Sequence, residues 1–175
     1  MFDRDTFIAE CLAAVEETDT HGAVRELVAR AVREPAAIIA GLGEPHQASV
    51  EVLYASDALT ILNGVSGPWM TVPPHDHRMW AVIGVYAGRE DNVFWRRIPG
   101  TEGGLIEAAG AKSISAGESH PMESNIIHTF TNPLTRADRR AACLWRQPAT
   151  HGPQRMGPRN AAGATAGPGL SAPAG

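Results

Sequence analysis

The sequence has few cysteines and no long hydrophobic run. Only two cysteines, Cys11 and Cys143, occur among the 175 residues, and they lie far apart in the chain. Such a pair predicts reduced, buried thiols and a cytoplasmic protein rather than a disulfide framework. No apolar stretch approaches the length of a membrane span, and acidic residues stand near the N-terminus where a signal peptide has basic ones. We therefore expect neither a membrane partner nor secretion.

Basic residues are also scarce. The formal net charge is −4, and the arginine pairs Arg96–Arg97 and Arg139–Arg140 do not extend into a basic run. We therefore expect no nucleic-acid partner. Hydrophobic residues make up 43% of the chain and charged residues 19%, which is enough apolar mass for one compact domain with a real core.

The chain divides into three regions by composition. Residues 1–45 carry apolar side chains at helical spacing, as at Phe7, Cys11 and Val15, and predict helices that pack on the outside of a sheet. Residues 46–147 form a series of short β-like runs between turn residues, which predicts an antiparallel sandwich or barrel. Residues 148–175 are rich in Gly, Ala and Pro and predict a flexible tail. The candidate strands are 50–54, 59–63, 69–72, 79–86, 92–97, 104–108, 112–114, 125–131 and 141–146.

Two histidines one residue apart stand at the start of an apolar run. His75 and His77 follow a proline pair, which favours an extended backbone. Side chains two residues apart on a strand point to the same face, so both imidazoles can reach one metal ion. Burying an imidazole without a partner costs free energy, and a bound metal would offset that cost. Asp76 points the other way and is not expected to be a ligand.

A third histidine stands in another β-like run. His128, in the stretch NIIHTFTN, faces the same interior as the first pair if the two strands are neighbours in a barrel. His120 precedes a proline at a predicted turn and is interpreted as a loop residue. No role is assigned to His120 or to His151. The three-histidine set His75, His77 and His128 is therefore the predicted metal site.

These motifs together resemble the two-part cupin signature. His75-Asp76-His77 is followed by an apolar run and Gly88-Arg89-Glu90, then by the step Gly117-Glu118, and then by His128 in IIHTFTN. Within the cupins the pattern is similar to the cysteine dioxygenase type, which includes bacterial thiol dioxygenases. The resemblance covers roughly residues 50–146. It implies a mainly β fold, the cupin double-stranded β-helix or jelly-roll barrel, with an N-terminal helical segment.

The resemblance also implies an activity. It points to an oxidoreductase in which His75, His77 and His128 hold Fe(II) and a small thiol is oxidised to a sulfinate by O₂. Many other cupins place a glutamate shortly after the second histidine, but Ala81 and Val82 stand there in this chain. An all-histidine site fits that departure better. Three imidazoles also suit other divalent ions, so a different metal stays an alternative.

Five further residues are candidates for binding the substrate. Family members that oxidise cysteine hold its carboxylate with an early arginine, but residues 46–51 of this chain contain none, which argues against L-cysteine. Arg89 or Arg97, on later strands, could bind an anionic substrate end instead. Aromatic side chains could line the pocket. These are Tyr54, Tyr86 and Trp80.

Three functions remain open on the sequence alone. The first is the iron-dependent thiol dioxygenase, with a small thiol and O₂ as its partners. The second is a metal-dependent cupin that acts on a non-thiol small molecule. The third is a non-catalytic cupin that binds a metal or ligand. For each of them the chain is expected to be a monomer or a homodimer.

Overall fold

A computed structural model describes residues 2–18, 20–44, 47–101 and 104–135, together with the backbone of 141–145. The Gly/Ala/Pro-rich segment 148–175, including His151, lies outside these residues, as does the side chain of Cys143. The flexibility of segment 148–175 and the division of the chain into three regions therefore stay predictions.

Three helices come first, in the order α1 (Arg4–Glu17), α2 (Gly22–Val32) and α3 (Pro35–Leu42). The Asp3 side chain caps α1 by accepting a hydrogen bond from the Thr6 backbone N–H at 2.7 Å. Pro35 occupies the first turn of α3, where its missing N–H costs nothing. The predicted helical N-terminal segment is thus confirmed. In the described part of the chain, none of the helices combines the length and the apolar character needed to cross a membrane.

Among the described residues, nine strands follow the helices and form two antiparallel sheets. One sheet has the order β1-β2-β9-β4-β7 and the other the order β3-β8-β5-β6. The strands are β1 (Ser49–Ala55), β2 (Thr60–Val65), β3 (Thr71–Asp76), β4 (Ala81–Val85), β5 (Arg89–Arg97), β6 (Ile106–Ser115), β7 (Glu118–Met122), β8 (Ile127–Thr131) and β9 (Ala141–Trp145).

The strand pairing is nested around a central hairpin. β5 pairs with β6, β4 with β7, β3 with β8 and β2 with β9, and successive pairs alternate between the two sheets. This is the connectivity of an eight-stranded jelly roll, with β1 added at one edge. The predicted double-stranded β-helix with helices at its N-terminus is confirmed.

Two strand predictions were wrong. The segments 104–108 and 112–114 belong to the single strand β6, because a bulge opposite Phe94 and Trp95 replaces the predicted turn at Ala109-Gly110. Strand β7 was not predicted, since its sequence Glu-Ser-His-Pro-Met has little β character. Pro121 is tolerated there because β7 is an edge strand of its sheet.

Strand β4 separates two apolar cores, and it is buried on both faces. Val82 faces the helices, in a cluster with Val28 of α2 and Cys11 of α1. Burial raises the pKa of the Cys11 thiol to about 12. On the other face, Ile83 packs between the two sheets. The helices therefore pack on the outside of the five-stranded sheet. They do not enter the space between the two sheets.

Gly84 of β4 lies directly beneath helix α2. A Cβ atom at this position would lie 2.7 Å from Val32 Cγ1 and would also overlap Val28 Cγ1. Both valines are stiff, buried side chains, so the helix itself would have to move. We predict that Gly84→Ala lowers the free energy of unfolding by about 1–3 kcal/mol in urea denaturation.

The matched control for this substitution is Gly110→Ala on strand β6. No atom lies within 4 Å of the Cβ position at Gly110, so this change is expected to leave stability nearly unaltered. Equal effects of the two substitutions would contradict the packing of α2 on β4.

Candidate metal centre

The pairing of β3 with β8 brings the three predicted histidines together. His75 lies opposite His128 in the register of these strands, and His77 follows directly after β3. Directly opposed residues of an antiparallel pair project from the same face. One ring nitrogen from each of the three side chains falls within a group whose members all lie within 4.8 Å of one another. This three-histidine group could hold a metal ion.

The distances within the group fit a set of metal ligands. His77 Nε2 and His128 Nε2 lie 3.1 Å apart. Two neighbouring ligands at metal–nitrogen distances of about 2.1 Å have about this separation. His75 Nδ1 lies 2.9 Å from the carbonyl oxygen of Pro73. A carbonyl can only accept, so His75 carries its proton on Nδ1 and keeps the Nε2 lone pair for a ligand.

Burial keeps two of the imidazoles neutral. His128 is only 1% exposed. Desolvation, followed by the proximity of His75 and His77, lowers the pKa of His128 to about 3. Desolvation also lowers the pKa of His77 to about 4, with a smaller contribution from His75 and a small opposing effect of Asp76. At neutral pH, both rings are therefore unprotonated, which is the form that binds a metal.

Asp76 and Arg97 lie on the outer face of the four-stranded sheet. The Arg97 guanidinium donates to Asp76 Oδ2 at 3.2 Å, and Arg78 Nε lies 3.8 Å from Asp76 Oδ1. Asp76 thus points away from the histidines, as the alternation of the strand predicts. Arg97 is held at the same outer position, so the structure does not bring it to the three histidines.

Arg89 also occupies the outer face. Its guanidinium donates two hydrogen bonds of 2.7 Å to the Asp91 carboxylate, and Ser113 donates to the same carboxylate. The neighbouring Glu90 and Asn92 point to the opposite face of β5, towards His128. Arg89 is therefore separated from the histidines by the sheet.

The three aromatic candidates belong to the helix-facing core. Tyr54, Tyr86 and Trp80 pack in the cluster between the five-stranded sheet and the helices. The Tyr86 hydroxyl donates to Asn63 Oδ1 at 3.0 Å, and the Trp80 ring lies 6.3 Å from that of His21. The structure does not bring these side chains to the histidines, and their part in substrate binding stays a prediction.

Two polar residues of the interior were not predicted as part of the site. Glu90 lies on the interior face of β5 and is 7% exposed, because β5 begins at Arg89 and not at the predicted residue 92. Asn92 is 1% exposed and was not singled out. The sequence does contain a signal for them. Glu90 and Asn92 stand at alternate positions before Phe94, so all three share one face of the strand.

His120 was predicted to lie in a loop, and this was wrong. It lies on β7 opposite Ile83 and shares the interior face of that residue. Its ring centroid is 5.7 Å from that of Phe94. Burial, and then the positive charges of Lys112 and Arg25, lower the pKa of His120. His120 is therefore a second kind of interior histidine, outside the three-histidine group.

Comparisons with known proteins return cupins at low identity. A scan against protein-family models finds no match, and a search of curated proteins finds none either. Among solved structures, a cupin superfamily protein from Desulfitobacterium hafniense is 9% identical, with 61% of this chain and 83% of that chain covered and a TM-score of 0.47.

Two further solved structures give similar values. An RmlC-like cupin family protein with a double-stranded β-helix fold, from Methanocaldococcus jannaschii, is 13% identical over 60% of this chain and 84% of that chain, with a TM-score of 0.46. KdgF from Halomonas sp. is 13% identical over 59% of this chain and 89% of that chain, with a TM-score of 0.44.

The lowered pKa values predict a pH-dependent stability of the metal-free protein. The unfolded chain binds protons at its imidazoles near the ordinary pKa of 6.5, whereas folded His77 and His128 stay neutral down to about pH 4 and pH 3. The free energy of unfolding should therefore be highest above pH 6.5 and fall as the pH is lowered from 6.5 towards 4. The slope contributed by each histidine approaches about 1.4 kcal/mol per pH unit.

Urea denaturation at a series of pH values measures this slope. The double variant His77→Gln/His128→Gln should show a flatter dependence over the same interval, because its unfolded chain no longer takes up these protons. Parallel curves for the two proteins would contradict the assignment of neutral, buried imidazoles.

Proposed function

We propose that the protein is a non-haem iron-dependent dioxygenase that oxidises a small thiol to a sulfinate with O₂. His75, His77 and His128 would hold the Fe(II) ion. The observation that carries the proposal is the composition of the ligand group. It consists of three imidazoles that meet inside a jelly roll, and no carboxylate of the described residues joins them.

The charge of such a site favours an anionic substrate. Neutral imidazoles do not reduce the charge of a divalent ion, whereas a carboxylate ligand would cancel part of it. A divalent ion whose charge no direct protein ligand cancels stabilises a thiolate over the neutral thiol. No protein base is then needed to deprotonate the substrate. The all-histidine group thus favours a thiol substrate.

The proposed reaction needs no further reactant. A thiol and one molecule of O₂ contain all the atoms of the sulfinic acid, since both oxygen atoms become bonded to sulfur. Sulfur is oxidised by four electrons and O₂ is reduced by four, so no external reductant takes part. A bound iron ion would supply the redox chemistry that lets O₂ react with the thiolate.

The chain's own residues would orient the ion and limit the access of water. Pro73 holds the His75 ring through the 2.9 Å contact at Nδ1, and Asn92 holds the His128 ring through a 2.8 Å contact. An apolar cluster between the sheets, which includes Ile83 and Phe94, occupies the neighbouring interior. A low-polarity surrounding strengthens the interaction between the ion and a bound thiolate.

Oxygen uptake by the iron-loaded protein tests the proposal. Fe(II) is added anaerobically, and an oxygen electrode then follows uptake with cysteine, cysteamine, 3-mercaptopropionate and mercaptosuccinate. We expect uptake with at least one thiol, at one O₂ per thiol consumed, and a product heavier than the thiol by two oxygen atoms. A protein with stoichiometric iron that takes up no oxygen with any of them would reject thiol oxidation.

Removal of one ligand should abolish both metal retention and activity. Substitution of a group that only hydrogen-bonds a metal ligand costs about 10–100-fold in metal affinity, so we expect His128→Ala to weaken Fe(II) binding by more than about 100-fold. The measurement is iron content after gel filtration, followed by oxygen uptake. His21→Gln is the control, because His21 pairs with Glu123 outside the group. Full iron content in His128→Ala would remove His128 from the site.

A further inference from the structure

A chain of buried polar groups leads from strand β5 to His128. Asn92 Oδ1 lies 2.8 Å from His128 Nδ1, and Asn92 Nδ2 donates to Glu90 Oε1 at 2.9 Å. We propose that Glu90 and Asn92 are positioning residues that keep the His128 proton on Nδ1 and turn its Nε2 lone pair towards the metal. This inference rests on the proposed metal centre.

The strand geometry allows this contact without strain. Glu90 and Asn92 are two residues apart on β5 and therefore share a face. Phe94, the next residue on that face, lies opposite His128 in the β5–β8 register, while Asn92 lies opposite Phe130. Asn92 and His128 are thus diagonal neighbours, a separation within reach of longer side chains.

Glu90 decides which end of the Asn92 amide faces the histidine. An asparagine amide has one accepting and one donating end, and either end could face an imidazole nitrogen. A glutamate carboxylate only accepts, so the NH₂ end of Asn92 turns to Glu90 and the oxygen turns to His128. His128 must then donate from Nδ1, and its Nε2 is left as a lone pair.

The interior makes this arrangement costly to reverse. Glu90, Asn92 and His128 are 7%, 1% and 1% exposed, so water cannot readily replace a lost partner. A flipped amide would place its NH₂ group against the His128 N–H and its oxygen against the Glu90 carboxylate. Unsatisfied buried polar groups cost about 1–3 kcal/mol each.

The same proton assignment explains the contact between two of the histidines. His77 Nε2 and His128 Nε2 are 3.1 Å apart, and a hydrogen bond between them needs one proton and one lone pair. With the His128 proton on Nδ1, His77 donates in the metal-free protein. His75 is fixed by the backbone carbonyl of Pro73, whereas His128 depends on side chains that substitution can change.

Nitrogen-15 NMR of the metal-free protein tests the proton position directly. The two-bond couplings of histidine ring protons distinguish the Nδ1–H form from the Nε2–H form. We expect wild-type His128 to be Nδ1–H, Asn92→Leu to move it towards Nε2–H, and Asn92→Asp to keep it Nδ1–H because a carboxylate still accepts. Glu90→Gln should give a mixture, since a glutamine can donate as well as accept.

Metal affinity is the second readout. We expect Asn92→Leu to weaken Fe(II) or Co(II) binding about 10–100-fold in a competition titration, and Glu90→Gln to weaken it by a smaller factor. Asp91→Asn is the matched control for Glu90→Gln. It makes the same carboxylate-to-amide change one residue along the strand, on the outer face, and should alter neither readout.

The two readouts separate this inference from the proposed function. If His128 keeps the Nδ1–H form in folded Asn92→Leu, the positioning role is wrong even when wild type binds metal. Should Asn92→Leu fail to fold, an unchanged His128 form in folded Glu90→Gln overturns the inference, because the Asn92 amide would then not depend on Glu90. A shift of the His128 proton in these variants supports the inference. If the proton shifts but the wild-type protein does not bind metal, only the proposed function is overturned.

Discussion

Three imidazole rings share one small space inside the jelly roll, where burial keeps the His77 and His128 rings neutral. The ring centroids of His75 and His128 are 4.4 Å apart, and His77 lies 5.0 and 5.2 Å from the other two. Two imidazolium ions at such distances, in a buried site, would repel each other strongly. Neutral rings instead direct nitrogen lone pairs into one region. A divalent ion bound there would stabilise this arrangement of the rings.

The strand registers hold the histidines in this arrangement, and helix α2 packs on the opposite sheet. The β3–β8 register sets His75 opposite His128, and the β5–β8 register brings the Glu90–Asn92 pair to the far side of the same ring. Helix α2 covers the outer face of β4 and β7. The neighbouring strand β5 thus supports a histidine of the four-stranded sheet, while helix α2 helps to bury both faces of β4 in the opposite sheet.

The sequence predicted those features in which the spacing of residues matches the period of a strand or a helix. The pair His75-x-His77 and the apolar run around His128 have a spacing that predicts one face of a sheet, and the helical spacing of Phe7, Cys11 and Val15 predicts α1. Glu90 was not found from the sequence because burial of a carboxylate depends on a partner that only the folded chain provides. Arg89 and Arg97 were attractive as cations, but strand alternation and their partners Asp91 and Asp76 place them outside.

The central claim is that His75, His77 and His128 form a centre that binds a thiolate on a metal. X-ray absorption of the anaerobic Fe(II)-loaded protein, with and without a thiol, tests it most directly. The account predicts nitrogen or oxygen neighbours at about 2.0–2.1 Å with the outer-shell pattern of three imidazoles, and a new sulfur neighbour at about 2.3 Å once the thiol is added. A spectrum with fewer than three imidazoles, or one in which no thiol adds a sulfur neighbour, would contradict it.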